Sequence, residues 1–114
     1  MKFTNEKVGD TLIGSVVGQV NSANAAGLES QLLQLVQNGE HRWVLDLSQL
    51  EYISSAGLRV ALMLAKRIRE HGGRLALCGM QPHVHEVFDI SGFLAILTVV
   101  DTRDDALAHV TGHD

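Results

Sequence analysis

The sequence is poor in several residue types, and each shortage excludes a class of protein. Cys78 is the only cysteine, so no intramolecular disulfide can form, which fits a reducing compartment. Aromatic residues make up only 4% of the chain, so the core must be built from aliphatic side chains. Lysine and arginine number 9 against 13 aspartates and glutamates, and the formal charge of −4 argues against a nucleic-acid partner, whose phosphates require a basic surface.

Long apolar runs are also missing. No stretch approaches the roughly 20 apolar residues that a membrane-spanning helix needs, and residues 1–10 lack the apolar segment of a signal peptide. Pro82 is the only proline, and no stretch rich in glycine, serine and proline suggests a linker. We therefore expect one soluble cytoplasmic domain over residues 1–114, without membrane insertion.

Segments with strand and helix character alternate along the chain. β-Branched residues and short apolar runs predict five strands, over residues 2–8, 11–20, 42–47, 74–79 and 94–100. Helical spacing and capping residues predict four helices, over about 23–38, 55–71, 82–90 and from 103 onward. Ser22 is expected to cap the first of them, and Thr102, followed by Asp105, the last. This alternation is typical of an α/β domain, in which a mixed, mostly parallel sheet packs with about four helices. The first two strands predict an antiparallel hairpin at one edge of the sheet.

The helix over 55–71 is expected to have two chemically different faces. At 100° per residue, one side collects the residues expected in the core, namely Leu58, Ala61, Leu62, Ala65 and Ile68. Arg59, Val60 and Met63 are expected on the side away from the core. Because methionine adapts to many contacts, this side is a candidate partner-binding surface.

Ser54 and Ser55 stand where an apolar run meets this helix, and four roles are compatible with such a junction. A nucleophile at Ser55 would need the pattern G-x-S-x-G, but Ile53 replaces the first glycine, and no histidine is evidently placed to complete a triad. A phosphate-binding loop would need G-x-x-x-x-G-K-[ST] or G-x-G-x-x-G, and neither occurs. A helix cap and a phosphorylation site both remain, because a helix N-terminus favours a serine hydroxyl and also tolerates a phosphate.

Other chemically active residues have simpler interpretations. His83 and His85 would point about 200° apart on a helix, so they cannot share a metal ion and are expected at the solvated surface. Cys78 ends an apolar strand and is expected to be a small buried residue. Asp46 and Ser48 are expected to shape the turn that leads to the serine pair. We expect no metal, no cofactor and no catalytic residue.

Three motifs resemble those of a known family. "DLSQLEYISSAGLRV" is similar to the block D-L-S-x-L-x-[YF]-[MI]-[DS]-S-[SAT]-G-L of the STAS domain. "GGRLALCG" is similar to the next strand of that domain, and "PHVHEVFDISGF" to its P-x-V-x-x-x-F-D-x-S-G-[LF] helix. The resemblance covers nearly the whole chain, is strongest over 44–107, and is greatest to the bacterial anti-sigma factor antagonists.

This resemblance implies a phosphorylation switch at Ser55. In the family, an anti-sigma factor with a GHKL-type serine kinase fold phosphorylates the serine two residues before a Gly-Leu pair, here Gly57-Leu58. The unphosphorylated antagonist binds this anti-sigma factor, and a metal-dependent serine phosphatase restores the unphosphorylated form. The protein is then a substrate and a binder and not an enzyme, with Ser54 as the other candidate for modification.

The expected partner-binding surface combines the serine pair with parts of two helices. It comprises Asn21, Ser22, Asn24, Ser54, Ser55, Ala56, Gly57, Arg59, Val60 and Met63. Two departures from the family pattern lie here, since Ser54 stands where many members carry aspartate, and Gln19 and Asn21 stand where many carry acidic residues. An alternative function is that of a non-phosphorylated STAS subunit, structural or ligand-sensing, in a larger complex such as a lipid transporter.

Overall fold

The computed structural model describes residues 1–112, which form six strands and four α-helices. The strands are β1 Lys2–Val8, β2 Thr11–Val20, β3 Arg42–Asp46, β4 Leu50–Ile53, β5 Arg74–Cys78 and β6 Val99–Val100. The helices are α1 Ala25–Gln37, α2 Ser55–Glu70, α3 Pro82–Ile90 and α4 Arg103–Thr111, and a 3₁₀ turn spans Phe93–Ala95. This order confirms the predicted α/β class.

The strands form one mixed sheet in the order β1-β2-β3-β5-β6. β1 pairs antiparallel with β2, and β2 with β3, β3 with β5 and β5 with β6 are parallel pairs. β4 also runs parallel to β2, alongside its last residues from Gly18 to Val20. The predicted hairpin at the edge of a mostly parallel sheet is therefore confirmed.

Helices cover both faces of the sheet. Successive residues of the buried strands point to opposite faces, so each of these strands contributes side chains to two cores. Trp43 lies in the larger core, which also holds buried residues of α1, α2 and α3. Its neighbour Val44 lies in the smaller core, where Cys78 of β5 packs with Ala106 and Val110 of α4. The expectation of a buried Cys78 is confirmed.

The segment between β3 and α2 differs from the prediction. We predicted one strand over 42–47, but the structure has β3 and then the separate β4, joined by a short turn. In this turn the N–H of Leu47 donates to the carbonyl of Cys78 (2.9 Å), and the N–H of Leu50 donates to that of Leu47 (3.1 Å). The prediction missed β4 because its buried residues are its two ends, which gives no alternation over four residues.

The predicted strand over 94–100 is wrong in its first half. Residues Phe93–Ala95 form a 3₁₀ turn, and only Val99 and Val100 pair with β5. Within this apolar run, Leu97 is buried in the core, whereas Ile96 is exposed. A short apolar run does not by itself distinguish a strand from a packed turn.

The predicted faces of α2 need three corrections. Val60, expected away from the core, is only 5% exposed, and Leu64, absent from the predicted core face, is fully buried. Leu62, expected in the core, is 37% exposed. The core-facing stripe of α2 is therefore rotated toward Leu64, so that it meets both α1 and the sheet.

The two edges of the sheet are unlike each other. β1 is exposed at six of its seven residues, including Lys2 and Lys7, and among residues 1–112 it pairs with β2 alone. Lys7 Nζ forms an exposed ion pair with Glu40 at 2.8 Å. The opposite edge, β6, is only two residues long. None of the helices within residues 1–112 is long and apolar enough to cross a membrane.

Candidate functional site

Ser54 is the cap of α2. Its backbone is extended (φ −84°, ψ 172°), and its Oγ accepts a hydrogen bond from the N–H of Gly57 at 3.2 Å. Its own N–H donates to the carbonyl of Val20 at 2.8 Å, which ties the start of α2 to the end of β2. Ser54 therefore satisfies one of the N–H groups that every helix N-terminus leaves unpaired.

Ser55 is the first residue of α2 and has the opposite surroundings. Its side chain is exposed, and no group within residues 1–112 hydrogen-bonds to its hydroxyl. No acidic residue lies in the first turn of α2. The sequence left open which serine forms the cap, and the structure assigns the cap to Ser54 and leaves the Ser55 hydroxyl open to solvent.

Gly57 explains why small residues follow the serines. A Cβ atom at this position would lie 2.6 Å from Ile53 Cγ1 and 2.8 Å from Val20 Cγ1, closer than side chains can approach. The first turn of α2 therefore rests directly on the ends of β2 and β4. Ala56 is half-buried beside it, so little side-chain bulk surrounds the Ser55 hydroxyl.

The turn between β2 and α1 is held by its two asparagines. Asn21 Oδ1 accepts hydrogen bonds from the N–H groups of Ala23 (2.9 Å) and Asn24 (3.1 Å), and Asn24 Oδ1 accepts one from the N–H of Asn21 (2.9 Å). Asn24 Nδ2 donates to the carbonyl of Gln19 at 2.9 Å. The prediction that Ser22 caps α1 is wrong, since the N-cap is Asn24, and Ser22 keeps an exposed side chain.

A groove between α1 and α2 begins next to the serine pair. It has a volume of about 420 Å³ and is lined by Ser22 in the turn before α1, by Ala25, Ala26 and Glu29 of α1, and by Ala56, Arg59, Val60 and Met63 of α2. The structure thus brings five of the predicted surface residues to one groove, and Val60 belongs to its floor although the residue is buried. Asn21 and Asn24 lie in the adjoining turn, where their side chains are engaged in the bonds described above.

Sequence inspection missed three residues of this groove. Ala25, Ala26 and Glu29 share the groove with Ser22, which was predicted. Ala26 and Glu29 follow Ser22 at spacings of four and seven, the spacing of residues on one helix face. Applied to α1 as it was to α2, this periodicity would have found the facing wall of the groove.

Asp46 and Ser48 shape the turn after β3, as predicted, and also reach α4. Asp46 Oδ1 accepts the N–H of Ser48 at 2.9 Å, and its Oδ2 accepts Arg103 Nη2 at 2.8 Å and Nε at 3.2 Å. Burial raises the pKa of Asp46, but the hydrogen bonds from Ser48 and the charge of Arg103 outweigh it and hold this pKa below its ordinary value. Asp46 is therefore an ionised anchor of the fold rather than a free acid or base.

The remaining candidate groups do not form a reactive cluster. Burial and the nearby Asp46 carboxylate raise the pKa of Cys78 to about 11, so its thiol is protonated at neutral pH and is a poor nucleophile. His83 and His85 are both exposed, and a ring nitrogen of His83 lies at the carbonyl of Glu51. Over residues 1–112, no three histidine, cysteine or acidic side chains converge in a way that could hold a metal ion.

Comparison with known proteins supplies a family for this geometry. The model of the STAS domain family matches residues 2–106. BtrV of Bordetella bronchiseptica, a protein assigned as an anti-sigma factor antagonist, is 54% identical over 108 residues, which cover 95% of this chain and 93% of the relative. The match therefore spans nearly the full length of both proteins.

Solved structures agree with this similarity. A Thermotoga maritima protein, TM1081, also assigned as an anti-sigma factor antagonist, superposes with a TM-score of 0.90 at 27% identity, over 95% of this chain and 93% of that one. SpoIIAA has the same fold in its unphosphorylated form (TM-score 0.76, 18% identity, 98% and 100% covered). The phosphorylated form of SpoIIAA from Bacillus superposes equally well (TM-score 0.75, 20% identity, 96% and 99% covered).

Proposed function

The chain belongs to the STAS domain family, and on that premise we propose that it is an anti-sigma factor antagonist whose binding is switched by phosphorylation of Ser55. The observation that carries the proposal is the Ser55 hydroxyl, which is exposed at the N-terminus of α2, next to the α1/α2 groove, and has no hydrogen-bond partner in the part of the chain that the structure describes. The partner is an anti-sigma factor with a GHKL-type serine kinase fold, and a metal-dependent serine phosphatase reverses the reaction. The chain itself acts in the cytoplasm as binder and substrate, not as an enzyme.

A phosphate at Ser55 is compatible with the fold. The first N–H groups of a helix are unpaired and carry partial positive charge, so an anion there stabilises the helix. The first turn of α2 offers no carboxylate to repel the phosphate, and Arg59 follows one turn later. The similarity of this chain to both forms of SpoIIAA supports the same conclusion, since phosphorylation leaves that fold intact.

The same phosphate is incompatible with a docked partner. Ala56, Val60 and Met63 give the groove an apolar wall, and a partner that covers this wall removes water from the neighbouring Ser55. A phosphoserine carries about −1.5 to −2 charges at pH 7, which the single charge of Arg59 does not fully balance, and the desolvation of the remaining charge is costly. Phosphorylation therefore releases the partner electrostatically, without a change of fold.

Intact-mass spectrometry after incubation with ATP, magnesium and the cognate kinase tests the modification. We expect a gain of about 80 Da, one phosphate, on the wild-type chain and on Ser54→Ala, and no gain on Ser55→Ala. Ser54→Ala is the matched control, because it removes the neighbouring hydroxyl and leaves the proposed acceptor. Phosphorylation of Ser55→Ala with loss of the signal in Ser54→Ala would assign the switch to the other serine.

A binding measurement with the same kinase tests the switch. Ser55→Ala is expected to bind as tightly as the unphosphorylated wild type, and Ser55→Asp at least about tenfold more weakly, because the carboxylate is desolvated in the complex. Isothermal titration calorimetry measures both constants. Equal affinities of the two variants would overturn the electrostatic mechanism, and a chain that is neither phosphorylated nor bound would favour the role of a structural subunit.

A further inference from the structure

Helix α2 is a basic element in an acidic protein. The chain has a formal charge of −4 and nine lysines and arginines in total, and four of these cations lie on α2. Glu70 is the only acidic residue of this helix, so four cations and one acid give it a net charge of +3. The helix that begins at Ser55 therefore differs in charge from the rest of the molecule.

The solvent side of α2 aligns Ser55 with three of these cations. At about 100° per residue, five exposed residues of the helix fall within an arc of about 80°. These residues, which we call the outer stripe, are Ser55, Arg59, Leu62, Lys66 and Arg69. The outer stripe runs roughly 20 Å along the helix axis. It is continuous with the α1/α2 groove, because Arg59 belongs to both.

The cations of the outer stripe are available to another molecule. Within residues 1–112, none of the three forms an ion pair, and the ion pairs of the described chain lie at Lys7 and Arg103 instead. Uncompensated charges on one face produce a positive potential that extends over about one Debye length, roughly 8 Å at physiological ionic strength. Such a potential attracts an acidic surface and accelerates its encounter with the protein.

Leu62 gives the outer stripe an apolar centre. The residue was expected in the core, but it is 37% exposed, with Arg59 and Lys66 about one turn to either side. Protein–protein interfaces have the same arrangement, in which an apolar centre is surrounded by polar and charged residues. The outer stripe thus combines the two features of a docking face.

We propose that the outer stripe docks an acidic surface of the kinase that phosphorylates Ser55, an inference that rests on the function proposed above. The kinase must cover the first turn of α2 to reach the Ser55 hydroxyl, and its surface continues along the same side of the helix. Its carboxylates pair with Arg59, Lys66 and Arg69, and an apolar side chain among them covers Leu62. The cations thereby set the direction in which the partner lies along α2.

Phosphorylation alters the charge of this docking face. A phosphate at Ser55 adds about −1.5 to −2 charges and lies four residues before Arg59, the spacing at which an anion and a cation pair on a helix. The phosphate engages a cation that the carboxylates of the partner require, and it cancels much of the +3 charge of α2. Modification therefore slows the approach of the kinase as well as weakening its binding.

An acidic protein fits the outer stripe better than a membrane or a nucleic acid does. Those polyanions meet the protein over a wide surface, and because α2 contributes +3 to a total of −4, the rest of the chain carries −7 and repels them. Leu62 is only partly exposed and Met63 is half-buried, so neither offers the apolar area that insertion among lipids needs. A partner with a local acidic patch avoids both obstacles.

The rate of association with the cognate kinase tests the docking face. In stopped-flow mixing of the full chain with the kinase, without ATP and at about 50 mM ionic strength, Lys66→Glu/Arg69→Glu is expected to lower the association rate constant at least about tenfold. Lys2→Glu/Arg42→Glu is the matched control, because it makes the same change of net charge at exposed positions outside the outer stripe. The control is expected to change the constant less than about twofold. Equal effects of the two double variants would overturn the proposal.

Leu62→Gln tests the apolar centre. Because Leu62 is already 37% exposed, the variant is expected to fold normally and to raise the dissociation rate constant of the complex about fivefold. Ile90→Gln replaces an apolar residue of α3 that is 79% exposed and is expected to change this constant less than about twofold. A dissociation rate constant of Leu62→Gln equal to that of Ile90→Gln would remove Leu62 from the interface.

Two further measurements separate the alternatives. Vesicles of equal parts phosphatidylserine and phosphatidylcholine are expected not to cosediment the protein at about 0.15 M salt, and binding that Lys66→Glu/Arg69→Glu abolishes would assign the outer stripe to lipid instead. Intact-mass spectrometry of Ser55 keeps the switch distinct from the docking face. Unequal association rates of the two double variants without phosphorylation would reject the switch alone, and phosphorylation with equal rates would reject the docking face alone. A wild-type chain that does not bind the kinase would reject both.

Discussion

At the residue scale, the cap of α2 separates the roles of two adjacent serines. Ser54 Oγ accepts the N–H of Gly57, whereas Ser55 is exposed and its hydroxyl has no hydrogen-bond partner among residues 1–112. Aspartate and serine are about equally good N-caps, because both present an oxygen to the unpaired N–H groups. The aspartate that many family members carry here and the Ser54 of this chain are therefore equivalent for the helix, and differ in the charge they place beside Ser55.

This equivalence predicts opposite effects of two substitutions at one position. Ser54→Asp is expected to leave the free energy of unfolding unchanged or slightly higher, since it keeps the cap and adds a negative charge at the helix N-terminus. Ser54→Ala is expected to lower the free energy of unfolding by about 1 kcal/mol. Urea denaturation measures both, and Ser55→Ala is the matched control, with an expected change below about 0.5 kcal/mol. A loss in Ser55→Ala equal to that in Ser54→Ala would contradict the assignment of the cap.

At the element scale, α4 is fixed to the sheet at its first turn. Thr102 caps this helix as predicted, with its Oγ1 accepting the N–H of Asp105 at 3.0 Å. Arg103 of α4 then bonds Asp46 at the end of β3 and lies 3.7 Å from Glu6 of β1. One side chain thereby joins the C-terminal helix to two strands.

The lowered pKa of Asp46 predicts how this joint responds to pH. A carboxyl group whose pKa is lower in the folded state stabilises the fold above its unfolded pKa and loses this contribution as the pH falls through the folded value. Asp46→Asn is therefore expected to be less stable than wild type at pH 7, by about 1 kcal/mol because Arg103 is 42% exposed and screened. The difference is expected to shrink below about pH 4.

Thermal unfolding of both proteins between pH 7 and pH 3 measures this difference. Asp89→Asn, a substitution on the exposed face of α3, is the control and is expected to match wild type throughout. A destabilisation of Asp46→Asn that persists unchanged at pH 3 would show that the side chain acts through its shape and not through its charge.

The sequence predicted the elements with a long or regular pattern, and also the short strands β3 and β5, whose residues are largely apolar. β2, α1 and α2 each exceed nine residues, and their ends carry glycine or capping signals, so their bounds were predicted within about two residues. β4 and β6 have four and two residues and take their conformation from pairing with β2 and β5. Local sequence does not encode such distant partners, and the pattern alone therefore predicted one strand too few and another too long.

The candidate site, like the fold, was predicted in its position but not in its details. The motif placed Ser55 at the start of a helix, but the division of roles between Ser54 and Ser55 depends on a single hydrogen bond. Val60 was wrongly predicted on the outer face. Helix α2 packs against α1 as well as the sheet, so its buried stripe is wider than the pattern of one helix indicates. The residues of the facing wall follow helical spacing from Ser22, but the joining of the two helix faces into one groove depends on tertiary packing that neither helix encodes alone.

At the scale of the whole molecule, one sheet separates two cores of different size. Trp43, the only tryptophan, is buried in the larger core, and its Nε1 donates to the carbonyl of Glu40 at 2.6 Å. Cys78, the only cysteine, is buried in the smaller core under α4. Because β3 and β5 contribute side chains to both cores, loss of either core disrupts the strands that the other requires.

This shared sheet predicts a single unfolding transition. Trp43 fluorescence and pulse labelling of the Cys78 thiol, followed across a urea gradient, are expected to give the same midpoint, since small domains unfold as one cooperative unit. The Cys78→Ala variant confirms that the label reports this thiol. Labelling at a lower urea concentration than the fluorescence change would show instead that α4 detaches while the larger core remains folded.

The contrast between the two edges of the sheet bears on how the protein behaves when concentrated. An open strand edge is a template on which further chains add and aggregate, and lysines on such an edge oppose this addition. β1 carries Lys2 and Lys7 on its exposed length, and β6 presents two residues only. We therefore expect the folded chain to resist edge-to-edge polymerisation, which leaves the helical face with the α1/α2 groove to govern its associations.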